Sequence, residues 1–238
     1  MRLIAPVLAT LAGLFVTAAA PAQTPAAKQT PAAKVSRDWR TSVVKLPNGA
    51  FAIGNPAAKV KLVEYLSYTC PHCAHFVAES KAPLHDDLVR RGVVRVEFRH
   101  AVRDPLDMAA AMLARCTGAT GFAGASEAIF AAQSDWYPKG ATWWQANGAA
   151  LQSKPEIARL RAVADASGLT QLMRGRGMSP AAVNQCFATP RDLTTVTAMT
   201  KASWAAIQGT PSFAINGASA PGSDWAALQP HLRAAGAR

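Results

Sequence analysis

Two cysteines with two residues between them, close behind a strand-like run, constrain this chain more than any other feature of its 238 residues. Lys59-Val60-Lys61-Leu62-Val63-Glu64-Tyr65-Leu66 opens with alternation and closes more apolar, as a strand does when it enters a sheet covered on both faces. Cys70-Pro71-His72-Cys73 follows, and Ala74 to Glu79 contains no strong helix breaker. Proline suits the first helical turn, where its missing N–H has no partner to lose. Cys70 is therefore expected at the N-terminal end of a helix. Unpaired N–H groups and the helix dipole favour negative charge there and stabilise a thiolate. The spacing lets Cys73 reach back to form a disulfide with Cys70, while His72 adds a donor, or a positive charge when protonated. A pair of this kind beside a strand–helix unit is a redox signal. The competing chemistry is zinc. Cys70, Cys73 and one of His72 or His75 make only three ligands at poor spacing, with Cys116 and Cys186 far off in sequence, so no metal is expected.

What a cysteine pair does depends on its compartment. Arg2 gives a positive start, Leu3 to Val16 is apolar apart from Thr10, and Ala20-Pro21-Ala22 offers a small-residue cleavage site. Residues 1–22 read as a secretory signal peptide, with an uncleaved anchor as the alternative. Export places the mature chain in an oxidising compartment, the periplasm. Gln23-Thr24-Pro25-Ala26-Ala27-Lys28 then recurs as Gln29-Thr30-Pro31-Ala32-Ala33-Lys34, so residues 23–36 read as a flexible Pro/Ala linker.

The remainder has the composition of a folded core. Half of the chain is hydrophobic and 16% is charged, against roughly 25% in an average soluble domain, which excludes global disorder. The only apolar run near membrane length lies at the extreme N-terminus, which excludes a multi-span membrane protein. Net charge is +11, but no Lys/Arg run exceeds Arg90-Arg91, and Glu97, Asp104 and Asp107 break up the basic surface. A solvated basic surface is expected, and no nucleic-acid partner.

A second signal comes more than a hundred residues on, where Gln208-Gly209-Thr210-Pro211 precedes a short apolar strand, Ser212-Phe213-Ala214-Ile215, and the turn pair Asn216-Gly217. With the cysteine motif and the Tyr65-Leu66-Ser67-Tyr68-Thr69 before it, this segment resembles the thioredoxin superfamily. More closely it resembles the DsbA-like bacterial thiol–disulfide oxidoreductases. The resemblance implies an α/β, thioredoxin-like fold, a central mixed sheet flanked by helices, with an inserted helical domain. It implies a first part at 37–104, an insert at 105–195 opening with Asp104-Pro105, and a second part at 196–238. Trp225, Leu228 and Leu232 mark a closing amphipathic helix despite Pro230.

The resemblance further implies site roles. Cys70 is the nucleophile, Cys73 resolves, His72 assists, and Glu64 relays protons to or from Cys73, an exposed strand acid being the alternative. Pro211 is cis, presenting an edge against which a substrate peptide pairs. No cofactor is implied beyond the disulfide itself. The partners implied are reduced or unfolded exported proteins and a membrane quinone-linked DsbB-type oxidase for recycling, with the protein a monomer. The activity implied is introduction of disulfides. Thr210 departs from the valine of the best-known oxidases and matches isomerases and reductases, which stand as the alternative; a non-enzymatic thioredoxin-like module is the third reading. Two leftover thiols in an oxidising compartment more often pair than stay free, so Cys116 and Cys186 are expected to form a structural disulfide rather than two buried thiols. Trp136, Tyr137, Trp143 and Trp144 are open to two readings, a peptide groove or core packing.

Overall fold

The computed structural model describes residues 37–238. The signal peptide expected at 1–22 and the linker expected at 23–36 lie outside the described residues. Among the described residues six strands form one sheet: β1 (Val43–Lys45), β2 (Phe51–Ile53), β3 (Val60–Leu66), β4 (Val94–His100), β5 (Ser212–Ile215) and β6 (Ala218–Ala220). Their spatial order is β1-β2-β4-β3-β5-β6. Only β3 and β4 run parallel, with Val60 opposite Val94 and Leu66 opposite His100. A parallel pair needs a crossover, and α1 (Pro71–Ser80) with its continuation supplies it. That continuation, Lys81–Val89, is wound as a π-helix and carries Pro83. Nothing in the sequence pattern announces this change of register. It ends at a turn where Gly92 has φ +77°, and an added Cβ would lie 2.6 Å from the Trp39 ring.

From β4 the chain passes into helices: α2 (Pro105–Cys116), α3 (Gly118–Ala131), α4 (Gln133–Asn147), α5 (Glu156–Ser167), α6 (Leu169–Gly175), α7 (Pro180–Cys186) and α8 (Arg191–Ala206). Asp104 caps α2, its carboxylate accepting from the Asp107 N–H at 2.9 Å with Pro105 in the first turn. Ser179 and Pro180 repeat that device at α7. Residue 195, the sequence boundary of the insert, falls inside α8. That helix packs on both α2 and β4, and its pattern carries no sign of which side it belongs to. Ahead of the cysteine motif the chain also forms an antiparallel hairpin, β1 with β2. After β5 and β6, α9 (Trp225–Ala234) closes the chain with Leu228 and Leu232 fully buried and Pro230 within it.

One continuous core joins sheet and helices. Phe51 of β2 stacks on Phe122 of α3 at 4.1 Å between ring centroids, and Phe122 meets Phe98 of β4 edge-on at 5.3 Å. Burying one such ring contributes about 1.5–3 kcal/mol. Trp136 belongs to this core, its indole N–H donating to the Ile129 carbonyl at 2.9 Å, whereas Trp143 and Trp144 are half-buried. Among the described residues no helix is long and apolar enough to cross a membrane.

Candidate active site

β3 ends at Leu66, and Ser67-Tyr68-Thr69 carries the chain into Cys70, which stands as N-cap of α1 with Pro71 in the first turn. Three helices bolt this loop down. Asp107 of α2 is buried and accepts from the Ser67 hydroxyl at 2.5 Å, the Tyr68 N–H at 2.8 Å and the Arg103 N–H at 3.0 Å. Asp104 accepts from the Thr69 hydroxyl at 2.7 Å. From α3, Ser126 accepts from the Tyr68 hydroxyl at 2.9 Å. From the start of α4, the Gln133 amide donates to the carbonyls of Tyr68 at 2.7 Å and of Cys70 at 2.9 Å. Burial pushes the Asp107 carboxyl up to about 7, against the pull of its donors.

Cys70 and Cys73 are both free and buried, with 3% of Cys70 exposed and none of Cys73. The Cys70 thiol donates to the Thr210 carbonyl at 3.2 Å, and the Thr210–Pro211 bond is cis. Residues separated by 140 positions thus meet at one sulfur. The two thiols differ sharply in acidity. Donation from the Cys73 thiol, above all, holds Cys70 at about 5, with burial opposing and Thr210 and the Arg103 charge assisting. Burial first, and then the neighbouring Cys70 sulfur, drives Cys73 far above the usual thiol range. At neutral pH the reduced pair carries one thiolate, on the cysteine with surface exposure.

Among the other residues singled out from sequence, His72 is exposed on the first turn of α1. Glu64 lies on β3, opposite Phe98 of β4 and Phe213 of β5, with 2% exposed. Its Oε1 has no hydrogen-bond partner, and burial pushes the carboxyl up to about 8, so it is protonated at neutral pH. Cys116 and Cys186, the last residues of α2 and α7, are joined by a disulfide with Cα atoms 5.4 Å apart. No cluster of three metal-ligating side chains occurs among the described residues.

Residues 47–232 match the thioredoxin family model. A protein-disulfide isomerase from Novosphingobium aromaticivorans is 34% identical and superposes with a TM-score of 0.71, over 77% of this chain and 95% of that one. This chain belongs to the thioredoxin family. The DsbA-like fold is also that of Wolbachia pipientis alpha-DsbA1, at a TM-score of 0.63 and 19% identity over 82% of this chain and 94% of that one. A Rickettsia typhi protein named as a protein-disulfide oxidoreductase is 28% identical over 73% of this chain. The chain spans 57% of that relative's length, and 55% of a Rickettsia conorii one's.

Asp104, Asp107, Arg103 and Gln133 were not singled out as site residues in the sequence. The loop needs them because it leaves the sheet with groups such as the Tyr68 N–H and carbonyl that no strand or helix satisfies, whereas the Cys70 carbonyl also accepts from the Cys73 and Ala74 N–H groups of α1. Asp104-Pro105-Leu106-Asp107 is legible only as a helix start; Gln133 carries no local sign at all.

Proposed function

We propose that the protein is an exported, periplasmic thiol–disulfide oxidase acting through Cys70 and Cys73. The observation that carries this reading is the geometry of the pair: Cys70 at the start of α1, Cys73 one turn on, and the Cys70 sulfur against the Thr210 carbonyl ahead of cis Pro211. In the oxidised enzyme a substrate thiolate attacks Sγ of Cys70. The Cys70–Cys73 bond breaks, its electron pair leaves on Cys73, and Cys73 takes up a proton. A second substrate thiolate attacks the substrate sulfur of the mixed disulfide. The substrate then holds the disulfide, and Cys70 departs as a thiolate that its surroundings stabilise. Glu64 exchanges the proton with Cys73, alternating between carboxyl and carboxylate on the strand that feeds the redox loop. The peptide flanking the substrate cysteine pairs in extended form beside Pro211. Two electrons and two protons then pass to a membrane quinone-linked oxidase of the DsbB type, and the disulfide is restored.

A second reading, isomerase or reductase, is favoured by Thr210 ahead of Pro211 and by the name of the Novosphingobium relative. Equilibration of the purified protein with glutathione separates the two. An oxidase is expected nearer DsbA's own value of about −120 mV, and a thioredoxin-like value of about −270 mV selects the reductase. No turnover of any dithiol substrate would leave only a binding module.

A further inference from the structure

Beside the redox loop, the turn at 102–105 and the start of α2 face α4 and α5 across a cleft of about 250 Å³. That is below the roughly 300 Å³ at which small-molecule sites begin, and suits one side chain rather than a whole ligand. Val102, Pro105 and Trp144 are lining residues that keep part of their surface open to solvent. Trp204 of α8, 36% exposed, donates its indole N–H to the Val102 carbonyl at 3.0 Å and continues the same surface. Two arginines complete the cleft: Arg103, which is exposed, and Arg159 of α5, which is half-buried. Arg103 joins it to the dithiol, because its Nη1 donates to the Thr69 carbonyl at 3.4 Å and its charge favours the Cys70 thiolate.

The charges of the cleft are unevenly spent. Ion pairs among the described residues engage Arg40, Arg90, Arg91, Arg99, Arg115 and Arg161, but neither Arg103 nor Arg159. Arg159 is bound only through Nη1, which donates to Gln152 Oε1 at 3.1 Å. Two carboxylates line the same cleft, Asp104 and Glu156. Asp104 is occupied by the Thr69 hydroxyl at 2.7 Å and by the Asp107 N–H at 2.9 Å. Glu156 stands in the first turn of α5, where the helix N-terminus offsets its charge. The charge left over is positive, and it calls for an acid. In an extended peptide, residues two positions apart point to one face, roughly 6.5–7 Å from each other. A peptide that turns its cysteine toward Cys70 therefore turns the residues two positions away toward the protein as well.

We propose that this cleft is a specificity site, selecting polypeptide segments that carry Asp or Glu two positions from the reacting cysteine. The carboxylate is received by Arg103, with Arg159 as the second cation, and its aliphatic stem lies against Val102 and Trp144. The inference rests on the reading of Cys70 and Cys73 as a peptide-directed redox pair, and holds for either direction of exchange.

The test uses the full reduced chain and short synthetic peptides with serine in place of the reacting cysteine, by calorimetry and NMR shift mapping. A peptide with one Glu two positions from the serine should bind saturably, with shifts centred on Val102, Arg103 and the Trp144 indole. It should bind about three- to tenfold more tightly than the same peptide with Lys there, or with Glu moved next to the serine. Arg103→Gln and Arg159→Gln should each reduce this preference, and Arg103→Lys should keep most of it. Arg233→Gln removes the same charge from the exposed face of α9 and should leave the preference intact. The proposal is overturned by equal binding of the Glu and Lys peptides, or by a preference that survives Arg103→Gln. Equal loss in Arg233→Gln would also overturn it, because overall charge would then explain the preference. The cysteine forms of the same peptides are assayed for disulfide exchange. Preference without exchange keeps the cleft and ends the redox reading, whereas exchange without preference ends the cleft alone.

Discussion

One sulfur carries a charge at neutral pH and its neighbour does not, and that difference sets both reactivity and stability. Cys70, at about 5 in the folded reduced protein, lies below its unfolded value of about 8.5. A depressed acid stabilises the fold above the unfolded value and loses that contribution as pH falls through the folded one. The reduced form should therefore gain stability from pH 5 upward, by at most about 3 kcal/mol at pH 7, whereas the oxidised form has no such thiol. Melting both forms across pH 4–8 checks this; a difference that fails to shrink in acid contradicts the assignment. Ultraviolet thiolate titration should likewise show one ionisation near pH 5 and none from Cys73 in the neutral range. Glu64 has the opposite sign. Its folded value of about 8 exceeds the unfolded value of about 4.3, so it costs nothing in acid and increasingly destabilises the fold between those limits. Glu64→Gln should match the parent at pH 4 and exceed it at pH 8 by a few kcal/mol, bounded above by about 5. A constant offset between the two curves would refute the raised value.

At the scale of elements, the site is a loop that belongs to the sheet but is held by helices. Gln133 places two donors of α4 on the carbonyls of Tyr68 and Cys70, and no other side chain is seen to bond either of those oxygens. Gln133→Ala should cost about 1–3 kcal/mol, since the Tyr68 carbonyl loses its buried partner, while the Cys70 carbonyl keeps the Cys73 and Ala74 N–H groups. Because Gln133 is a positioning residue, the deciding readout is the Cys70 titration. Its acidity should move back toward that of an ordinary thiol, and Gln133→Glu, which removes the donors, should fare no better. An unchanged titration would make Gln133 a structural residue only. These elements differ in how far sequence exposes them. Cys70 at a helix start, Asp104 capping α2, and Leu228 with Leu232 on α9 are legible because proline, capping residues and apolar spacing act within a few positions. Gln133 acts across 63 residues and sits in a helix whose own pattern is satisfied without it. The π-helical Lys81–Val89 is equally silent, because its register is imposed by packing. Arg115 is a third case. It reads as an ordinary helix-end cation, yet it is buried, ion-paired to Asp192 of α8 at 3.3 Å, and donates to the Gly49 carbonyl at 2.8 Å.

The whole molecule is tied by one covalent bond away from the site. Cys116–Cys186 closes a loop of 70 residues that contains α3 to α6 and most of α7. Chain entropy alone assigns such a loop about 4 kcal/mol. A Cys116→Ala/Cys186→Ala variant should unfold at correspondingly lower denaturant while keeping its Cys70 titration; one as stable as the parent would show the bond to be dispensable. The contact between Cys70 and Thr210 has a different consequence, one in time. A ribosome adding about 5–20 residues per second delivers Cys73 and then takes roughly 7–30 s to reach Thr210. Gln133 arrives in the first half of that interval, and the Thr210 carbonyl only at its close. Throughout it the nascent chain displays its cysteines to any oxidant or passing thiol without the covering segment that the finished protein lays over Cys70. The enclosure of Cys70 against the Thr210 carbonyl is thus among the last features the growing chain acquires.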